Sequence, residues 1–118
     1  METADAEKIA ALENLGASVV RCKALDGRVD LQDLIAKLGE RKIDSILLEG
    51  GGTLNDSAVR QGIVQEVITY IAPKLIGGEL SKTPVGGAGV AHLSDVAILT
   101  DLQCEKIGDD WKLTGYLR

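Results

Sequence analysis

Residues 46–59 read ILLEGGGTLNDSAV. An aliphatic run ends in one acid, Glu49, and three glycines and a threonine follow. The run as a whole, DSILLEG at 44–50, is continuously apolar, as expected of a strand covered on both faces in a parallel sheet. TLNDSAVRQG (53–62) then reads as a helix stopped by Gly62. Glu49 therefore stands at the carboxyl end of a strand, where open α/β sheets gather ligands. Glycines without a Cβ let a ligand approach the backbone. They lead into a helix N-terminus, whose unpaired N–H groups and dipole favour an anion. Thr53 can cap that helix or offer its hydroxyl to a phosphate oxygen. The stretch reads as a phosphate cradle beside a carboxylate, with a solvated strand-to-helix turn as the plain alternative. It is not a Walker loop, since no GK precedes the threonine. It is not a Rossmann fingerprint either, because the glycines are contiguous.

Outward from this stretch, elements alternate. DAEKIAALENLG (5–16) carries Ile9, Leu12 and Leu15 at helical spacing, with Gly16 as a stop. ASVVRCKA (17–24) reads as a strand and LDGRVD (25–30) as a turn. Asp30 caps a helix over 31–42, where Leu31, Leu34, Ile35 and Leu38 form one stripe. VQEVITYIAPKLIGG (64–78) reads as a long strand, apolar enough to sit centrally at first, in which Pro73 needs an edge or a bulge. Helix–strand alternation over two-thirds of the chain predicts right-handed βαβ crossovers and a mainly parallel sheet with flanking helices. A Gly-rich connection over 77–95 reads as a mobile surface loop. VAILTDLQCEKIG (96–108), a turn at Asp109–Asp110 and WKLTGYLR (111–118) read as a closing antiparallel hairpin.

The bulk numbers set limits. The 118 residues fit one domain. With 45% apolar and 26% charged residues the chain is globular in composition, and with 3% aromatics its core must be aliphatic. A net charge of −5 without a basic cluster argues against nucleic-acid binding, while leaving a phosphorylated small molecule open. Cys22, Cys104 and the single His92 have no metal-ligand spacing, so no metal site is expected. Isolated cysteines fit reduced thiols in a cytoplasmic protein. No apolar stretch is long enough to span a membrane, and the acidic start METADAEKIA does not read as a signal peptide.

The other candidate groups have plainer readings. His92 reads as a surface or capping residue, Lys74 as solvent-facing with a phosphate contact as the sharper option, and Glu66 as a solvated edge residue. Asp56 reads as a structural acid in the first helical turn. Trp111 and Tyr116 read as core or interface groups.

The segment SILLEGGGTLNDSAVRQGIVQEVITYIAPKLIGG (45–78), with LSDVAIL and IGDDWKLTGYLR later, resembles the reductase domain of the RibD family of bifunctional riboflavin-biosynthesis deaminase/reductases. The resemblance runs from about residue 15 to the end. It implies a dihydrofolate-reductase-like α/β fold and NADPH-dependent reduction of 5-amino-6-(5-phosphoribosylamino)uracil. The hydride would pass to C1′ of the opened sugar or its imine. It implies that Glu49 contacts the substrate, and that Gly51, Gly52, Thr53, Leu54 and Asn55 line the NADPH phosphates. The family's domain is longer. Its first half, which carries much of the substrate pocket, and its zinc-bearing deaminase domain have no counterpart here. Residues 1–118 thus read as the C-terminal portion of such a domain, with the activity belonging to the whole parent protein. Uncovered sheet edges would favour a homodimer or higher homo-oligomer. The alternatives are a non-catalytic nucleotide-binding or assembly module of the same fold, or a Rossmann-like domain of another enzyme.

Overall fold

The computed structural model describes residues 5–117. The chain divides into two compact units, Met1–Ile46 and Leu47–Arg118.

In the first unit, α1 (Ala6–Asn14) starts at Asp5, whose side chain accepts from Glu7 N at 2.9 Å. It ends where Gly16 turns to φ +87°. Its stripe is not buried: Leu12 is 42% and Leu15 86% exposed. The expected turn at 25–30 is a two-residue hairpin between β1 (Ala24–Leu25) and β2 (Arg28–Val29). Asp26 and Gly27 both take positive φ, 50° and 75°, as a type I′ turn requires. Asp30 then caps α2 (Leu31–Glu40), its Oδ1 accepting from Gln32 N at 3.0 Å and Asp33 N at 3.1 Å. Leu31 is this helix's buried residue. Asp33 accepts from Lys37 Nζ at 2.7 Å and Lys23 N at 2.8 Å, and Lys37 also donates to the Arg21 carbonyl at 2.7 Å. These bonds fasten segment 21–23 to α2. The Lys37 hydrogen bond, then the Lys23 amide, hold the Asp33 carboxyl below its ordinary value. Asp33 in turn raises Lys37.

In the second unit, α3 (Gly52–Arg60) is followed by β3 (Glu66–Ile71), a short 3₁₀ turn (Leu93–Asp95), β4 (Leu99–Ile107) and β5 (Asp110–Leu117). Gly62, at φ +66°, ends α3, and Ile63 N closes onto the Ala58 carbonyl at 3.2 Å. The strands form one sheet in the order β3-β5-β4, antiparallel throughout. The expected closing hairpin is present, with its two-residue turn at Gly108–Asp109, one residue earlier than expected, because Ile107 pairs with Asp110. Asp101, at φ 54°, forms a bulge where Asp101 and Leu102 face Gly115. A side chain at Gly115 would press on Leu102 and Leu99, each at 3.1 Å.

The mainly parallel sheet expected from the alternation is absent among the described residues, where every ladder is antiparallel. Segment 17–23 and the run 44–50 pair with nothing there, so neither is a strand. A strand exists only through its neighbour, and an apolar run does not say which neighbour it has. The long strand 64–78 shortens to Glu66–Ile71 at the sheet edge, ending before Pro73, which donates no ladder bond.

Burial is sparse. Leu31 and Ala58 are the buried apolar side chains among the described residues, while Leu47 is 78%, Leu75 103% and Leu80 95% exposed. Trp111 and Tyr116, at 47% and 40%, are not core residues as one expectation had them. Five residues apart on β5, they lie on opposite faces of the strand, and Tyr116 donates to Glu66 Oε1 at 3.3 Å.

Candidate functional site

The three glycines play three different parts. A Cβ on Gly50 would meet Leu54 Cδ2 at 2.7 Å, so this glycine makes room for the helix's own side chain. Gly51, the N-cap residue with φ −73° and ψ 167°, has nothing within 4 Å of its Cβ position. The space where its side chain would stand is open. Gly52 meets the chain instead of a ligand. A Cβ there would lie 2.8 Å from the Thr83 carbonyl and 3.0 Å from Gly86 N. None of the three takes positive φ, so their common property is the missing side chain rather than an unusual turn.

The start of α3 has no side-chain cap. Leu54 N and Asn55 N both donate to the Gly51 carbonyl, at 2.9 and 3.1 Å. This leaves the N–H groups of Gly52 and Thr53 as the unspent donors among the described residues. Thr53 lies inside the helix rather than at its cap, and its carbonyl accepts from Ser57 Oγ at 3.0 Å.

Opposite this helix start lies part of the Gly-rich connection. Gly86 N donates to the Gly52 carbonyl at 2.9 Å, and Asn55 Nδ2 donates to the Pro84 carbonyl at 2.8 Å. The Asn55 bond fixes its amide orientation and leaves Oδ1 buried without a partner among the described residues. Between the two segments is a cavity of about 570 Å³ lined by Gly51, Gly52, Thr53 and Leu54 on one side and Ser81, Lys82, Thr83 and Gly86 on the other.

Of the residues singled out in the sequence, the structure thus brings Gly51 to Leu54 together on one wall. Asn55 instead ties down the facing loop. Glu49 is exposed just before the glycines and lies outside the lining. Lys74 also lies outside it. His92 is exposed and occupies the N-cap position of the 3₁₀ turn without a side-chain cap bond. Asp56 corrects an expectation. It is not in the first turn of α3 but one turn in, 7% exposed, with its Oδ2 accepting from Arg60 Nη2 at 2.6 Å. Helix α3 starts at Gly52, which places Asp56 fifth, beyond the reach of the terminal N–H groups. Its carboxylate also fills the space beside Gly87. Sequence reasoning missed the 81–87 segment, and the one available signal was its density of glycines facing a second glycine cluster.

Comparison with known proteins gives the chain's family. The family model described as the RibD C-terminal domain matches residues 1–113. The chain belongs to that family. It is 52% identical over 106 residues to the riboflavin biosynthesis protein RibD of Actinobacillus pleuropneumoniae, covering 90% of this chain and 28% of that protein. It is 37% identical to the 2,5-diamino-6-ribosylamino-4(3H)-pyrimidinone 5′-phosphate reductase of Methanothermobacter thermautotrophicus, covering 92% of this chain and 49% of that protein. In fold it is similar to Acinetobacter baumannii RibD, with a TM-score of 0.72 at 23% identity over 92% of this chain and 29% of the other. The chain therefore spans less than a third of the RibD proteins it matches here and about half of the smaller reductase. Among the described residues no helix is long and apolar enough to cross a membrane, and no group of His, Cys, Asp and Glu is placed to hold a metal ion.

Proposed function

We propose that this chain is the cofactor-binding portion of a riboflavin-biosynthesis reductase domain. With the rest of that domain it reduces the ribosyl group of 5-amino-6-(5-phosphoribosylamino)uracil to ribityl, using NADPH, in the cytoplasm. The observation that carries the reading is the uncapped start of α3, which opens onto a cavity of about 570 Å³ beside an open Gly51. Free amides at a helix N-terminus bind phosphate through hydrogen bonds and dipole together. The Gly51, Gly52, Thr53 and Leu54 wall would hold the dinucleotide phosphates, and Asn55 keeps the opposite wall in place. When bound, the reduced nicotinamide supplies the hydride. Glu49, exposed and without a hydrogen bond or ion pair among the described residues, is free to accept a hydrogen bond from the phosphorylated pyrimidine substrate.

The exposed run Ile46–Leu48, at 52%, 78% and 40%, supports a further part of the proposal. It is a strand in waiting, whose parallel neighbours lie in the preceding half of the domain. The edge strands β3 and β4 of the second unit's sheet support assembly as a homodimer. A light-scattering mass of one chain across micromolar concentrations would overturn the dimer.

The test of function follows NADPH absorbance in a polypeptide that carries the whole reductase domain. Glu49→Gln is expected to lower kcat/KM by roughly 100-fold, the usual scale for losing one charged group at the reacting end. Unchanged turnover would remove Glu49 from the site. Absence of any substrate-dependent oxidation in the unsubstituted domain would leave a non-catalytic nucleotide-binding module as the reading.

A further inference from the structure

The cavity's second wall carries a cation that neither the glycine turn nor Glu49 accounts for. Four polar side chains line the cavity: Thr53, Ser81, Lys82 and Thr83. Two of these hydroxyls are already committed inward, since Ser81 Oγ donates to the Gly77 carbonyl at 2.8 Å and Thr83 Oγ1 to the Val85 carbonyl at 2.6 Å. Lys82 is the charged residue among the eight that line the cavity, and no acid lines it. The ammonium of Lys82 has no hydrogen-bond or ion-pair partner among the described residues, whereas Lys37 and Lys112 are each paired with a carboxylate. The backbone that carries Lys82 is close to fixed points, through Gly86 N on the Gly52 carbonyl and Asn55 Nδ2 on the Pro84 carbonyl. Asp56 reinforces this clamp by filling the space beside Gly87, and its own charge is met by Arg60.

We propose that Lys82 is a ligand-binding residue that contacts a phosphate of the bound dinucleotide from the wall opposite the α3 amides. The inference rests on the nucleotide reading of the same cavity and deepens it. Two neutral N–H donors make a shallow counterweight to a polyanion, and in a chain of net charge −5 the surrounding field is unfavourable to one. A lysine on the facing wall supplies the missing full charge, and an ammonium bonded to phosphate is about twice as strong as a neutral pair. The phosphate is either the diphosphate shared by all nicotinamide dinucleotides or the 2′-phosphate that distinguishes NADPH from NADH. The experiment separates these two.

Kd values for NADPH and NADH are measured by following backbone amides in an isotope-labelled polypeptide that carries the whole reductase domain, with Lys82→Gln and Lys74→Gln compared against the unsubstituted protein. Lys74, outside the cavity, controls for general loss of positive charge. Lys82→Gln is expected to weaken NADPH by about tenfold, the scale of one charge-assisted hydrogen bond, with Lys74→Gln within twofold. An equal loss for NADH assigns the contact to the diphosphate, and an unchanged NADH affinity assigns it to the 2′-phosphate. Either supports the proposal. Equal behaviour of the two lysine variants, or an unchanged Kd for Lys82→Gln, overturns it while leaving the nucleotide reading intact. Failure of the unsubstituted reductase domain to bind either dinucleotide at millimolar concentration overturns both.

Discussion

Gly87→Ala is expected to destabilise the unit Leu47–Arg118 by about 3 kcal/mol, read from a denaturant midpoint at constant slope. Two costs combine. Gly87 has φ +80°, where an alanine costs roughly 1–2 kcal/mol. Its Cβ would also overlap the Asp56 carboxylate, which has little room to move because it is 7% exposed and held by Arg60. The two costs can be separated. In an Asp56→Ala background the overlap disappears and only the backbone cost of roughly 1–2 kcal/mol remains, so the pair should be strongly non-additive. Additive effects would mean that Asp56 and Gly87 do not touch in solution, and the clamp on the 81–87 segment would then rest on two hydrogen bonds alone.

Gly52→Ala is expected to lower NADPH affinity by more than tenfold while costing about 1–2 kcal/mol of stability. Alanine is the better helix former by about 1 kcal/mol, and at this position the backbone conformation suits any residue. The obstacle is the opposite segment. Thr83 O at 2.8 Å and Gly86 N at 3.0 Å from the new methyl are backbone atoms, so the loop itself must lift. Lifting breaks the 2.9 Å bond from Gly86 N to the Gly52 carbonyl and carries Lys82 away from the α3 amides. Affinity should therefore fall further than stability. A variant that loses stability but keeps its NADPH affinity would show that the two walls do not act together.

Much of the local structure was legible because its signals are local. Asp30 caps α2, Gly16 and Gly62 take positive φ at helix ends, and Pro73 stands beyond the end of β3, each for reasons carried by the residue itself. The closing hairpin was legible from its alternation and its turn. What could not be read is relational. The apolar runs 17–24 and 44–50 look like strands, but no pattern within them names a partner, and among the described residues only Ala24, at the end of the first run, finds one, in Val29. The candidate site divides in the same way. The glycine turn was visible as bare backbone before a helix, yet one of its glycines serves Leu54 and another serves the 83–86 backbone. The 81–87 segment looked like a loop because it has no periodicity. Its order comes from hydrogen bonds to residues about thirty positions away, which a pass along the chain does not reveal. Asp56 was read from its distance to an expected helix start, and a start one residue earlier moved it out of the first turn.

If the start of α3 is a phosphate site, NADPH titrated into the isotope-labelled reductase domain will find it, with an unphosphorylated nicotinamide nucleoside as the comparison. Saturable amide shifts centred on Gly51, Gly52 and Thr53 are expected with NADPH, echoed at Lys82 and Gly86, and none at these positions with the nucleoside. Equal shifts with both ligands, or NADPH shifts that bypass the glycines, would contradict it.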